Sequence, residues 1–136
     1  SIAGLTLSHG KGEIARAMVD GIAAQVADLL GAIAADGVAV KELRVDGGLT
    51  QSHTLMQMQA DLAQVNIEVY PHPDATAMGV ANLAAMATNS ALNLGDFASA
   101  WKPVERYSPK WSADRAESYL TKWRTLPANA MESAHE

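Results

Sequence analysis

The sequence predicts an α/β layered fold, and three observations carry that prediction. Apolar residues recur at helical spacing over 13–34, two short stretches of strand type follow at 42–46 and 65–69, and a helical segment separates those strands. Strands that alternate with helices favour parallel pairing, because a helical crossover returns the chain to the same end of the sheet.

Taken in order, the first element is a long amphipathic helix. Ile14, Met18, Ile22, Val26, Leu29, Leu30 and Ile33 fall three and four apart, which is one face of a helix over 13–34. Ser8, Gly10 and Gly12 release the chain into it, and Asp36-Gly37 ends it, since glycine adopts the left-handed conformation of a helix C-terminus. Leu43 and Val45 then point to one face of a short strand, and Gly47-Gly48 follow at once. The stretch 51–62 reads as a helix with Leu55, Met56, Met58 and Leu62 turned inward. Residues two apart diverge on a helix, so one of Met56 and Met58 belongs to the core and the other to a neighbouring layer. Val65, Ile67 and Val69 alternate with Asn66, Glu68 and Tyr70, which makes a second strand.

Pro71-His72-Pro73-Asp74 is a loop, and Asp74 can cap a third helix over 74–86. Nearly every residue of that helix is Ala, Met, Gly, Val or Leu, so it is expected to be buried close to the sheet, with Gly79 at the nearest approach. The pattern then weakens to a short helix over 96–101, an extended piece over 104–109 and a helix over 112–126. Residues 127–136 read as a flexible tail beyond a domain spanning 1–126. Trp101, Trp111 and Trp123 are expected to dock the last helix, while Lys102, Lys110, Lys122 and Arg124 form a solvated face. Two strands are few for a sheet that supports three helices, so further strands are expected before Ser1, and the chain reads as a partial domain of a longer protein.

Composition narrows the function. Hydrophobic residues make up 49% of the 136 residues and aromatics only 5%, so the core is built from Ala, Leu, Val, Ile and Met. A formal charge of -5 with no basic run argues against a nucleic-acid or membrane-surface partner, since both need clustered positive charge. Cysteine is absent, which removes disulfides, thiolate metal sites and a cysteine nucleophile, and makes the cytoplasm the default compartment. No apolar run is expected to approach the roughly 20 residues that span a bilayer. His9, His53, His72 and His135 are scattered without metal-ligand spacing, so no metal site is assigned.

The informative constellation is Val45-Asp46-Gly47-Gly48, where a strand ends, an acid follows and paired glycines lead into a helix. Glycines at that junction let backbone approach a ligand with no Cβ in the way, and a helix N-terminus offers N–H groups to an anion. A strand-to-helix turn also needs glycine for its dihedrals alone, so the pattern leaves both readings open. Asp46 likewise either lies near a metal or caps the turn. Gly-x-Gly-x-x-Gly after a strand and the P-loop spacing around Gly10-Lys11 are both missing, which disfavours a dehydrogenase or a P-loop ATPase.

Leu43-Arg44-Val45-Asp46-Gly47-Gly48, followed by Leu55-Met56-Gln57-Met58-Gln59-Ala60-Asp61, resembles the C-terminal domain of the FGGY carbohydrate kinases, glycerol kinases above all. Gly4-Leu5 and Glu13-Ile14 with Ala17-Met18-Val19-Asp20 are similar to a family signature in the long helix. Thr76-Ala77-Met78-Gly79-Val80-Ala81 and the pair Tyr119 and Trp123 resemble two further family motifs, in the right order.

The resemblance implies a ribonuclease H-like, actin/hexokinase-like ATPase domain, part of a two-domain enzyme with ATP and substrate in the cleft between the domains. Carried over by position, Gly47 and Gly48 would pack against the nucleotide, with Mg²⁺ bound through its phosphates, and Ser52 stands where the family has an asparagine. The catalytic aspartate and the site for glycerol or a related sugar belong, by the same resemblance, to a segment before Ser1, so this chain alone is expected to be inactive. A pentulose or other sugar kinase and a non-catalytic α/β interaction domain are the alternatives. Truncated sheets expose apolar faces and strand edges, so the chain is expected to form a homo-oligomer.

Overall fold

In the computed structural model, which describes residues 2, 4–71, 74–99 and 102–132, the elements run α1 (Lys11–Ala35), β1 (Glu42–Val45), α2 (His53–Ala63), β2 (Asn66–Val69), α3 (Ala75–Thr88), α4 (Leu94–Ser99), β3 (Glu105–Tyr107) and α5 (Ala113–Glu132). The expected order of helix, strand, helix, strand holds. The sheet has the order β1-β2-β3. β1 and β2 are parallel, with Leu43 opposite Ile67 and Val45 opposite Val69. The stretch expected only to be extended supplies β3, which runs antiparallel to β2 with Arg106 opposite Glu68.

α2 is the centre of the packing. Leu55, Met56, Met58, Ala60 and Leu62 are all buried, and both methionines are therefore internal, as a helix covered on two sides requires. Complete burial of each Leu or Met side chain among them stabilises the fold by about 1.5–3 kcal/mol. α1 covers one side of α2 through Ala23, Ala24, Ala27 and Leu30. This rotates the expected face: Met18 and Leu29 are each 61% exposed. Small alanines at the seam let the two helix axes approach, and the bulkier residues turn outward.

The ends of α1 follow their local chemistry. The Gly10 N–H donates to Glu13 Oε2 at 2.8 Å, and these bonds to backbone hold the Glu13 carboxyl below its usual range. At the other end Gly37 takes φ 89°, with Val38 N–H donating to Ile33 O at 3.2 Å. Contrary to expectation, α1 is long and apolar enough by length and composition to cross a membrane, because only Asp20 and Asp28 interrupt the stretch after Ala17. Both acids are engaged by α5, Asp20 by the Tyr119 hydroxyl at 2.9 Å and Asp28 by Arg124 Nε at 2.8 Å. A helix with its alanines on α2 and its acids on α5 is serving as a layer of this domain.

In β2, Glu68 alternates with the apolar positions and is nonetheless only 1% exposed. β2 is the central strand, and the arginines directly opposite on each neighbour, Arg44 and Arg106, cover the Glu68 carboxylate. Two further expectations, both about α3, are corrected. α3 contains no buried residue, and a Cβ built on Gly79 meets nothing within 4 Å. Its apolar surface is therefore largely exposed among the described residues, with Met78, Val80 and Leu83 turned outward. Asp74 holds the N-cap position of α3 without a side-chain cap bond.

The last helix continues to Glu132, past the expected end at residue 126. Trp111 and Trp123 pack half-buried against the core, as expected of docking residues, and Trp111 meets Tyr119 edge-on at 5.8 Å between ring centroids. Within the supposed solvated face, Arg124 pairs with both Asp28 and Glu117. Trp101, His72, His135 and residues 133–136 of the expected tail lie outside the described residues.

Candidate functional site

A cleft of about 390 Å³ opens at the carboxyl ends of the two parallel strands. Gly47, Gly48, Thr50 and Gln51 form one wall, Val69, Tyr70 and Pro71 the floor, and Val104 with Glu105 the far side, with His53 at the rim. Backbone bonds fix this outline. Tyr70 N–H donates to Val45 O at 2.8 Å, and Val104 N–H donates to Val69 O at 3.0 Å, so the strand exits are held side by side.

The first wall differs from a direct strand-to-helix turn. Gly47 takes φ 95°, a region that L side chains rarely adopt, and a 3-10 turn over Gly48–Gln51 intervenes before α2. The Gly47 carbonyl closes that turn by accepting from Thr50 N–H at 3.1 Å and from Thr50 Oγ1 at 2.7 Å. Ser52 then caps α2, its Oγ accepting from Leu55 N–H at 3.3 Å. The expectation that paired glycines lead directly into a helix is corrected accordingly: the N-terminus of α2 is capped by Ser52, and the backbone facing the cleft belongs to the turn.

Of the residues singled out from the sequence, Gly47 and Gly48 line the cleft, while Ser52 sits half-buried behind the wall. Asp46 is exposed and outside the lining. A Cβ built on Gly48 meets nothing within 4 Å, so the chain's own packing does not require glycine there. The cleft volume and the Cβ-free turn suit a nucleoside with attached phosphates.

Sequence reading missed the cleft's polar edge. The Tyr107 hydroxyl donates to Glu105 Oε2, and His53 Nδ1 lies 2.6 Å from that hydroxyl and 3.3 Å from the same carboxylate oxygen. Burial pushes the Tyr107 hydroxyl up to about 12, reinforced by the hydrogen bond to Glu105 and its charge. His53 and Tyr107 lie 54 positions apart, and β3 carries too little alternation to announce the pairing. A second missed element is Asp61, buried at 4% exposure. Its Oδ1 accepts from Lys110 N–H at 2.6 Å, Trp111 N–H at 3.2 Å and Gln57 Nε2 at 3.1 Å, which pins the β3–α5 connection to α2.

A mixed sheet layered with helices, opening a ligand-sized cleft at the carboxyl ends of its parallel strands, is the arrangement in which open α/β proteins bind small ligands. The sequence model of the FGGY family of carbohydrate kinases, C-terminal domain, matches residues 1–88. The chain belongs to that family. It is 39% identical over 125 residues to a glycerol kinase of Bordetella parapertussis and 35% identical over 137 residues to one of Paenarthrobacter aurescens, covering 91% and 100% of this chain. It spans about a quarter of the length of those relatives, 25% and 27% respectively. Among solved structures, Plasmodium falciparum glycerol kinase with ADP superposes with a TM-score of 0.84 at 26% identity, over 95% of this chain and 26% of that one. Xylulose kinase from Rhodospirillum rubrum shares the fold, with a TM-score of 0.82 at 24% identity over 98% of this chain and 28% of that one. The domain is thus a partial actin/hexokinase-like ATPase fold of the α/β class.

Proposed function

We propose that this chain is the nucleotide-binding part of an ATP-dependent kinase acting on glycerol or a closely related polyol. The observation that carries the reading is the Gly47-Gly48 turn, which opens without side chains onto a cleft at the strand ends in a chain of this family. Glycerol is favoured over a pentulose because the relatives at 35–39% identity named above are glycerol kinases.

Gly47 and Gly48 would lie against the nucleotide, and Ser52 would act from behind by setting the start of α2 and so the position of His53. Among the described residues no three His, Asp or Glu side chains converge as metal ligands, so Mg²⁺ would arrive on the phosphates. Phosphoryl transfer rests on positioning and charge stabilisation, with a carboxylate accepting the substrate's hydroxyl proton. Glu105, the carboxylate in this cleft's lining, is already engaged by Tyr107 and His53, so the chain alone would lack turnover. The proposed setting is cytoplasmic, with copies associating through the exposed α3 surface.

Calorimetric titration with Mg·ATP tests the reading, with Gly48→Val as control. A Cβ at position 48 meets nothing within 4 Å, so the added side chain starts from open space at the cleft wall. Binding that this substitution removes supports the proposal. A folded chain that binds no nucleotide, or a Gly48→Val variant that binds it as well as the unaltered chain, refutes it. Phosphorylation of glycerol by the chain alone would refute the claim of inactivity.

A further inference from the structure

The hydrogen-bond order at the cleft rim fixes which way its polar edge reads a ligand. A carboxylate is an acceptor only, so the proton between Tyr107 and Glu105 comes from the tyrosine. With that proton spent, the tyrosine oxygen faces His53 Nδ1 as an acceptor, and Nδ1 must carry the hydrogen that bridges the 2.6 Å gap. A neutral imidazole protonated on Nδ1 presents a bare lone pair on Nε2. Nε2 has no hydrogen-bond partner among the described residues, and His53 lines this cleft as well as a second hollow beside α2.

Glu105 lies on the same side of the cleft. Its negative charge disfavours phosphate there and leaves the phosphates the Gly47-Gly48 end, while Val69, Pro71 and Val104 offer an apolar bed for a planar base beside the rim. We propose that His53 and Glu105 form an acceptor edge that selects a base bearing an exocyclic amino group, as adenine does. This inference rests on the nucleotide reading above and adds the residues that choose the base. His53 recognises the base by hydrogen bonding, and Tyr107 is a positioning residue that sets its tautomer.

Two measurements test it. Long-range proton–nitrogen NMR in mildly alkaline buffer reads the tautomer directly. The Nδ1-protonated form is expected for His53, and Tyr107→Phe should shift the population towards the other tautomer. An Nε2-protonated ring in the unaltered chain overturns the proposal. Calorimetry then compares Mg·ATP with the analogue carrying hydrogen in place of the 6-amino group. One lost hydrogen bond predicts about three- to tenfold weaker binding of the analogue. In His53→Ala that ratio should fall to within about twofold, by the same reasoning. Glu105→Gln, which keeps the shape but adds a donor, should narrow the ratio as well. Equal binding of both nucleotides by the unaltered chain overturns the base selection and leaves the nucleotide reading standing. Failure of a folded chain to bind either nucleotide overturns both.

Discussion

The Tyr119 hydroxyl donates to Asp20 Oδ2 at 2.9 Å, joining residues 99 positions apart and fastening α5 to α1. Asp20 is 14% exposed at its side chain and is also held by Arg16 Nε at 2.6 Å, so the acceptor is fixed in place. Tyr119→Phe removes the bond but keeps the ring against Trp111. The expected loss is about 1–2 kcal/mol, between the usual contribution of a neutral hydrogen bond and that of one to a charged group, measured by urea denaturation. A change under about 0.3 kcal/mol would show that α5 is fastened by apolar packing alone.

The same hydroxyl sets an alkaline limit. Burial, then the hydrogen bond to Asp20, pushes Tyr119 up to about 12, and burial first does the same for Tyr107. A folded-state value above the ordinary tyrosine value of about 10 means that the folded chain holds the proton more tightly. The contribution is complete below about pH 10 and is lost as the pH climbs towards 12. Stability measured across that window should fall, and Tyr119→Phe should flatten the slope. Ultraviolet titration showing both phenols ionising at the ordinary value would contradict the prediction.

Asp61 supports a different joint. Its Oδ1 accepts from two backbone N–H groups of the β3–α5 connection, and Asp61→Ala strands those donors. The expected cost is about 1–3 kcal/mol, with Asp61→Asn costing less because its amide oxygen still accepts. Hydrogen exchange should report faster opening at Lys110 and Trp111 in the alanine variant. Unchanged protection there would show that the carboxylate is dispensable.

The surface of α3 predicts association. Val80 and Leu83 are 64% and 62% exposed on a helix without a single charged residue. Sedimentation velocity should show concentration-dependent association, and the double change Val80→Lys with Leu83→Lys should shift the chain towards monomer. A chain that stays monomeric at high concentration would end this expectation.

Elements with strong local punctuation are legible in the sequence. The expected bounds of α1 fall within two residues of the observed ones at either end, because Gly10, Glu13 and Gly37 mark its termini through the chain's own backbone. What periodicity does not supply is which face meets a neighbour. Met18 and Leu29 look like core by hydropathy, but the α2 seam prefers alanine, and Glu68 looks like surface until two opposing arginines close over it. The site divides in the same way. Gly47-Gly48 stands out because a strand, a turn and a helix are contiguous there, whereas the His53–Tyr107–Glu105 edge exists only once β3 folds back on β2.

Among the described residues, β1 has a neighbouring strand on one flank alone, since the sheet order begins with it. Its outer backbone is therefore a receptor for one more strand, in register with Glu42–Val45 and close to the Gly47 turn. A complementary segment supplied in trans could zip onto that flank and rebuild the cleft from two polypeptides. Nucleotide affinity could then serve as a reporter of reassembly in a split-protein system.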